Sequence, residues 1–246
     1  MGIFVGGGIT IGGGISFTSD GVVANVSNVI GYYTITLGTK TPVLGNTGQS
    51  PFPANGWTSI ISASGDDANT VVSLPFTWKY NNTDYNSFYP NSNYYVTFGS
   101  GSTQFNALSA SNPAFNKIFF AGADNSWQRV SRITSGTDYL RLRWEGTNAT
   151  SGTVGSPNMV YELTFFNPVN TNNQPVIELL IGAQARGNST IGVISGLYSA
   201  NTKLTGGDLG PSNRGVTANQ SYILIGNSTG TSWNVYTGYH LANTGY

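Results

Sequence analysis

The chain has 246 residues, of which 39% are hydrophobic and 13% aromatic; that is enough to bury a large core and excludes an intrinsically disordered chain. Only 8% are charged, and ten Lys and Arg against ten Asp and Glu leave no net charge, so there is no electrostatic footprint for nucleic acid. Cysteine is absent, which removes disulfides and thiolate metal sites, and no stretch approaches the ~20 apolar residues of a membrane-spanning helix, so membrane insertion is not expected.

Residues 1–19 hold two Gly-Gly-Gly triplets around Ile9-Thr10-Ile11. No Lys-Ser/Thr pair follows the glycines, which excludes a phosphate-binding P-loop, and no βαβ pattern surrounds them, which excludes a dinucleotide fingerprint. The apolar residues Ile3, Phe4, Val5, Ile9, Ile11 and Ile15 instead suit an extended arm that docks on a neighbouring chain. The opening MGIFV has neither a basic n-region nor a clean apolar h-region, so a secretory signal is not expected. Residues 20–55 carry Gly21-Val22-Val23 and the run from Tyr32 through Thr34, Ile35 and Leu37, read as one or two strands, and then a Pro/Gly loop through Gly45, Gly48, Pro51 and Pro53.

The main body is expected over residues 56–200. Val72, Leu74, Phe76, Trp78 and Tyr80 alternate with polar residues, and Tyr94, Val96 and Phe98 repeat the alternation. Period two with aromatic and β-branched residues marks a half-buried strand. The Asn-rich residues 81–89 between them read as a surface crossing. Further strands are expected at residues 118–121, 128–134, 139–145, 159–166 and 176–181, and at 191–198. In the third of these Leu140, Leu142 and Trp144 face inward, while Tyr139, Arg141, Arg143 and Glu145 face outward as a wet face. A C-terminal loop and closing strands fill residues 201–246, with strands at 221–225 and 231–236. Turn signals between short strands, with no convincing helical window, predict an all-β, antiparallel, jelly-roll-like sandwich with a Gly-rich N-terminal arm.

Candidate chemistry is sparse. Asp66, Asp67 and Asn69 lack the ordered oxygen ligands of a Ca²⁺ loop, so they read as a solvated turn, as does Asp124-Asn125-Ser126. His240 is the only histidine and has no Ser or Cys motif to serve. No carboxylate pair stands out for glycosidase work. No metal, cofactor or catalytic residue is therefore assigned, and the chain is not expected to be an enzyme. Arg129, Arg132, Arg141, Arg143 and Glu145 could form a cross-strand ladder with Asp138 and Glu162; the functional alternative is a patch for an acidic glycan or partner chain. Tyr85, Tyr89 and Trp127, among amides, are candidates for stacking on a sugar.

Several segments together suggest a family. LPFTWKYNNT at residues 74–83, NSNYYVTFG at 91–99, LSASNP at 108–113, ADNSWQRV at 123–130, RLRWEG at 141–146 and GTVGSPN at 152–158 resemble a β-sandwich module of tailed bacteriophage virion proteins, particularly phages of cyanobacteria and other marine bacteria. The likeness covers about residues 56–185. It implies a non-enzymatic structural role in the tail, baseplate or tail fibre, or else on the capsid surface as a decoration protein. A third alternative is a glycan-binding host-adhesion module. The partners implied are other virion proteins and further copies of the chain, a trimer by family habit, and host surface glycan. The location implied is the virion, assembled in the host cytoplasm and released by lysis.

Overall fold

A computed structural model describes residues 27–30, 33–36, 57–62, 67–103, 116–119, 128–146, 159–171, 173–182, 196–199, 202–205, 220–237 and 239–240. The arm at residues 1–19, Gly21-Val22-Val23, Asp66, the turn at residues 124–126 and Trp127 lie outside them. The strands are β1 (Ser27–Ile30), β2 (Tyr33–Thr36), β3 (Thr58–Ile61), β4 (Val72–Tyr80), β5 (Thr83–Asn91), β6 (Tyr95–Phe98), β7 (Asn116–Phe119) and β8 (Gln128–Ser135). They continue as β9 (Tyr139–Gly146), β10 (Met159–Phe166), β11 (Val176–Ile181), β12 (Gly196–Ser199), β13 (Thr202–Lys203), β14 (Ser221–Gly226), β15 (Trp233–Thr237) and β16 (Tyr239–His240). A single 3-10 turn, Pro168–Thr171, is the helical content of the described residues.

Two antiparallel sheets pack face to face, which makes the protein an all-β sandwich. One sheet has the order β15-β14-β11-β10-β9-β8-β3, the other β13-β12-β7-β6-β5-β4, and β1, β2 and β16 form a small third sheet. The chain passes repeatedly between the two large sheets. β3 belongs to the seven-stranded sheet, β4 to β7 to the six-stranded one, β8 to β11 to the first again, β12 and β13 to the second, and β14 and β15 to the first.

The core follows from the alternation. Leu140, Leu142 and Trp144 on β9 align with Phe165, Leu163 and Tyr161 on β10, and these with Ile177, Leu179 and Ile181 on β11. All are buried and face Val72, Leu74, Trp78, Tyr80, Phe88, Val96 and Phe98 of the other sheet. β4 shows how the sheets cross. Near its start, Ser73 to Pro75 share a cleft with Thr58 and with Arg132 to Thr134 on β8. Two residues before its end, Trp78 meets the Phe165 ring on β10 edge-on at 5.2 Å. At its end, Tyr80 packs on Trp233 of β15 at 6.0 Å. Seven residue steps along a strand cover about 24 Å, and the five strand spacings from β8 to β15 cover the same ~24 Å. β4 therefore runs across the strands of the opposite sheet at a steep angle, the orthogonal mode of sheet packing.

Residues 81–89, expected as a surface crossing, are mostly strand β5. The reversal needs only Asn81 and Asn82, with φ of 47° and 61°, the two left-handed residues of a type I′ hairpin turn that Asn tolerates. Phe88 and Tyr85 then face inward, with a register break against β4 between Ser73 and Trp78, where Pro75 lacks an N–H. The hairpin is pinned by the β14–β15 loop, since the N–H groups of Asn81 and Asn82 donate to the carbonyls of Gly230 (3.0 Å) and Thr229 (2.7 Å). The corner from β5 to β6 is also tied across the sandwich: Asn93 N–H donates to Asn91 Oδ1 (2.6 Å), and Trp144 Nε1 donates to the Asn91 carbonyl (2.8 Å).

Candidate functional site

Both large sheets also bury residues on the faces turned away from the common core. On the six-stranded sheet these include Tyr95, Thr97, Lys117 and Tyr198. Burial lowers the Lys117 ammonium from its ordinary value and pushes the Tyr198 hydroxyl up to about 12. On the seven-stranded sheet the far face carries a cluster of charged residues. Arg141, Arg143 and Glu145, expected in water, are 2%, 3% and 4% exposed. The reading of β9 as a strand with a wet face is thus corrected: alternation separates two faces but does not say that one of them is wet. What makes the charges tolerable is pairing.

The pairing is a cross-strand ladder. Ser131, Arg143 and Glu162 form one row across β8, β9 and β10, and Arg141, Thr164 and Glu178 form the next across β9, β10 and β11. Arg143 Nη1 donates to Glu162 Oε1 at 2.7 Å, and its Nε and Nη2 lie 3.1 and 3.0 Å from Glu145 Oε1. Arg141 Nε donates to Thr164 Oγ1 at 2.7 Å and its Nη2 to Glu178 Oε1 at 3.2 Å. Arg129 closes the line by donating from Nε to Glu145 Oε2 at 2.9 Å. Three guanidinium groups thus meet three carboxylates. Glu162 is the strained member: its Oε2 is buried with no hydrogen-bond partner. Burial pushes its carboxyl up to about 7, against the pull of Arg143 and Arg141, and the Glu178 charge adds to the rise. Of the ladder expected from sequence, Arg129, Arg141, Arg143, Glu145 and Glu162 are brought together. Glu178 joins them unforeseen, because residues 176–181 read only as a strand; the acid inside that otherwise apolar run was the available signal. Asp138 sits instead in the exposed β8–β9 turn, and Arg132 points to the opposite face, in register with Thr58 and Leu142.

Arg132 opens onto the flank where the β3 edge of one sheet faces the β4 edge of the other. A cleft of about 340 Å³ lies there, lined by Thr58 on β3, Ser73, Leu74 and Pro75 on β4, and Arg132, Ile133 and Thr134 on β8. Arg132 is part-exposed. It is the arginine that has no carboxylate partner among the described residues, whereas Arg129, Arg141 and Arg143 each have one.

The aromatic candidates are placed apart. Tyr85 packs on Phe98 at 5.1 Å, and its hydroxyl accepts a hydrogen bond from Asn116 Nδ2 at 2.9 Å. Tyr89 pairs in register with Thr97, on the opposite face of the same sheet. The two rings do not form one platform, and Trp127 lies outside the described residues. The arm residues Ile3, Phe4, Val5, Ile9, Ile11 and Ile15 also lie outside them. Among the described residues no group of three His, Cys, Asp or Glu could hold a metal ion, and no helix is long and apolar enough to cross a membrane. Asp67 accepts a hydrogen bond from Asn93 Nδ2 at 2.7 Å, a structural tie at the β5–β6 corner. No family model matches the chain, and comparison with curated proteins and with solved structures likewise yields no match.

Proposed function

We propose that this chain is a non-enzymatic structural component of a bacteriophage virion, of the tail, baseplate or tail fibre, that docks through residues 1–19. One observation carries the structural reading. Six of the twenty charged side chains pair with one another in the ladder, five of them buried and Arg129 part-exposed, which leaves a sequence rich in Asn, Thr, Ser and Gly with few charges to place on its surface. Such a surface offers little electrostatic resistance to close packing in an assembly. The resemblance of residues 56–185 to phage sandwich modules supplies the kind of assembly. A capsid-surface decoration protein satisfies the same observation; the docking partner of residues 1–15 separates the two. The test is mass spectrometry of gradient-purified particles from a lysate that expresses the chain, together with a variant lacking residues 2–15. Peptides of the intact chain are expected in the particle, and the shortened chain is expected to fold but stay out of it. Particles without the chain would refute the reading, and normal incorporation of the shortened chain would refute the arm.

A further inference from the structure

The cleft at the sheet edges does not follow from a packing role. An arginine on the core-facing side of β8, aligned with Leu142 and Thr58, sits where an apolar residue would bury surface. No carboxylate pairs with it among the described residues, and three hydroxyl side chains, Thr58, Ser73 and Thr134, line the same cleft. Leu74 and Pro75 supply an apolar wall on the facing strand. The volume, about 340 Å³, is at the lower end of the range for small-ligand sites, roughly 300–1,000 Å³. The chemistry of this set is specific. A planar guanidinium takes a carboxylate through two parallel hydrogen bonds. Hydroxyl side chains both donate and accept, as the ring hydroxyls of a sugar require. A proline and a leucine fit the C–H face of a pyranose.

We propose that this cleft binds a carboxylate-bearing saccharide, a uronic acid unit, with Arg132 on the carboxylate and Ser73, Thr58 and Thr134 on the ring hydroxyls. This is a binding activity beyond the structural role and does not depend on it. The two aromatic candidates on β5 take no part, since neither lines the cleft.

The experiment is ligand-observed NMR and calorimetric titration of the full chain with D-glucuronate and D-galacturonate, with glucose, acetate and glucose 6-sulfate as comparisons. Uronate binding is expected with a dissociation constant on the order of 1 mM, and glucose is expected not to bind. Arg132→Ala is expected to weaken uronate binding about 10- to 100-fold, as loss of a charge-assisted pair should, and Arg132→Lys to recover part of it. Ser73→Ala is expected to weaken it about two- to fivefold and gives a second reading if the arginine variant folds poorly. Acetate bound as tightly as glucuronate would overturn the saccharide, and tighter binding of glucose 6-sulfate would overturn the carboxylate. An inward charge beside a sheet edge can also serve only to prevent edge-to-edge pairing. In that case Arg132→Ala would self-associate and no sugar would bind to either form, which would also overturn the proposal.

Discussion

Glu162 shows what a single residue contributes and how it can be measured. Its carboxyl is fully buried, and only one oxygen is hydrogen-bonded. The folded-state value of about 7 lies above the ordinary 4.5, so between these two pH values the folded protein holds a proton that the unfolded chain has released. Stability should therefore fall as pH rises from about 4.5 to about 7, by up to about 3 kcal/mol, opposite to the slope of an ordinary salt-bridged acid. Urea midpoints across that range check it, and Glu162→Gln should flatten the slope even if it shifts the overall level. An unchanged slope in the variant would assign the effect elsewhere. At this scale the sequence was half legible. Leu140, Leu142 and Trp144 could be placed inward from their spacing alone, and they are. The burial of Arg141 and Arg143 could not be read, because a strand with one wet face and a strand covered on both faces share the same alternation.

Among the elements, the β4–β5 hairpin and the β14–β15 loop that holds it are the most exacting. Gly230 has φ of +65°, and a Cβ there would lie 2.7 Å from the Lys79 carbonyl oxygen and 3.0 Å from Tyr80 Cα. Both atoms are backbone, so neither can swing aside. Gly230→Ala is expected to cost about 2 kcal/mol or more in urea denaturation. Asn82 is exposed with φ of 61°, and its side chain is not what holds the turn. Asn82→Gly should therefore be neutral or stabilise by up to ~1 kcal/mol, because Asn-Gly suits a type I′ turn. A loss in the second variant comparable to that in the first would mean that the turn is held differently. The bounds of β10 and β11 could be read directly from their apolar runs. β5 could not, because its aromatics Tyr85, Phe88 and Tyr89 do not alternate regularly among the Asn, Ser, Asp, Thr and Pro around them, so the strand is chosen by its neighbours β4 and β6 rather than by its own pattern.

For the whole molecule, the steep crossing of β4 joins the sheets into one cooperative body. Trp78 stacks with Trp233 at 6.2 Å, Tyr80 packs on the same ring at 6.0 Å, and Trp144 is hydrogen-bonded to the opposite sheet. Tryptophan fluorescence and far-ultraviolet circular dichroism should therefore report the same urea midpoint, and separate transitions would show that the sheets melt independently. The sandwich class was legible because strand signals recur throughout with turn residues between them; the crossing angle was not, since it depends on which side chains meet across the core. The repeated passage of the chain between sheets bears on synthesis as well. β11 emerges from the ribosome well before β14, its partner along that edge, and β14 and β15 can add to the sheet only after β12 and β13 have gone to the other one. A nascent chain released early, or stalled near residue 205, would present the open edge of β11, lined with Val176, Ile177, Leu179 and Leu180, to every other chain on the polysome.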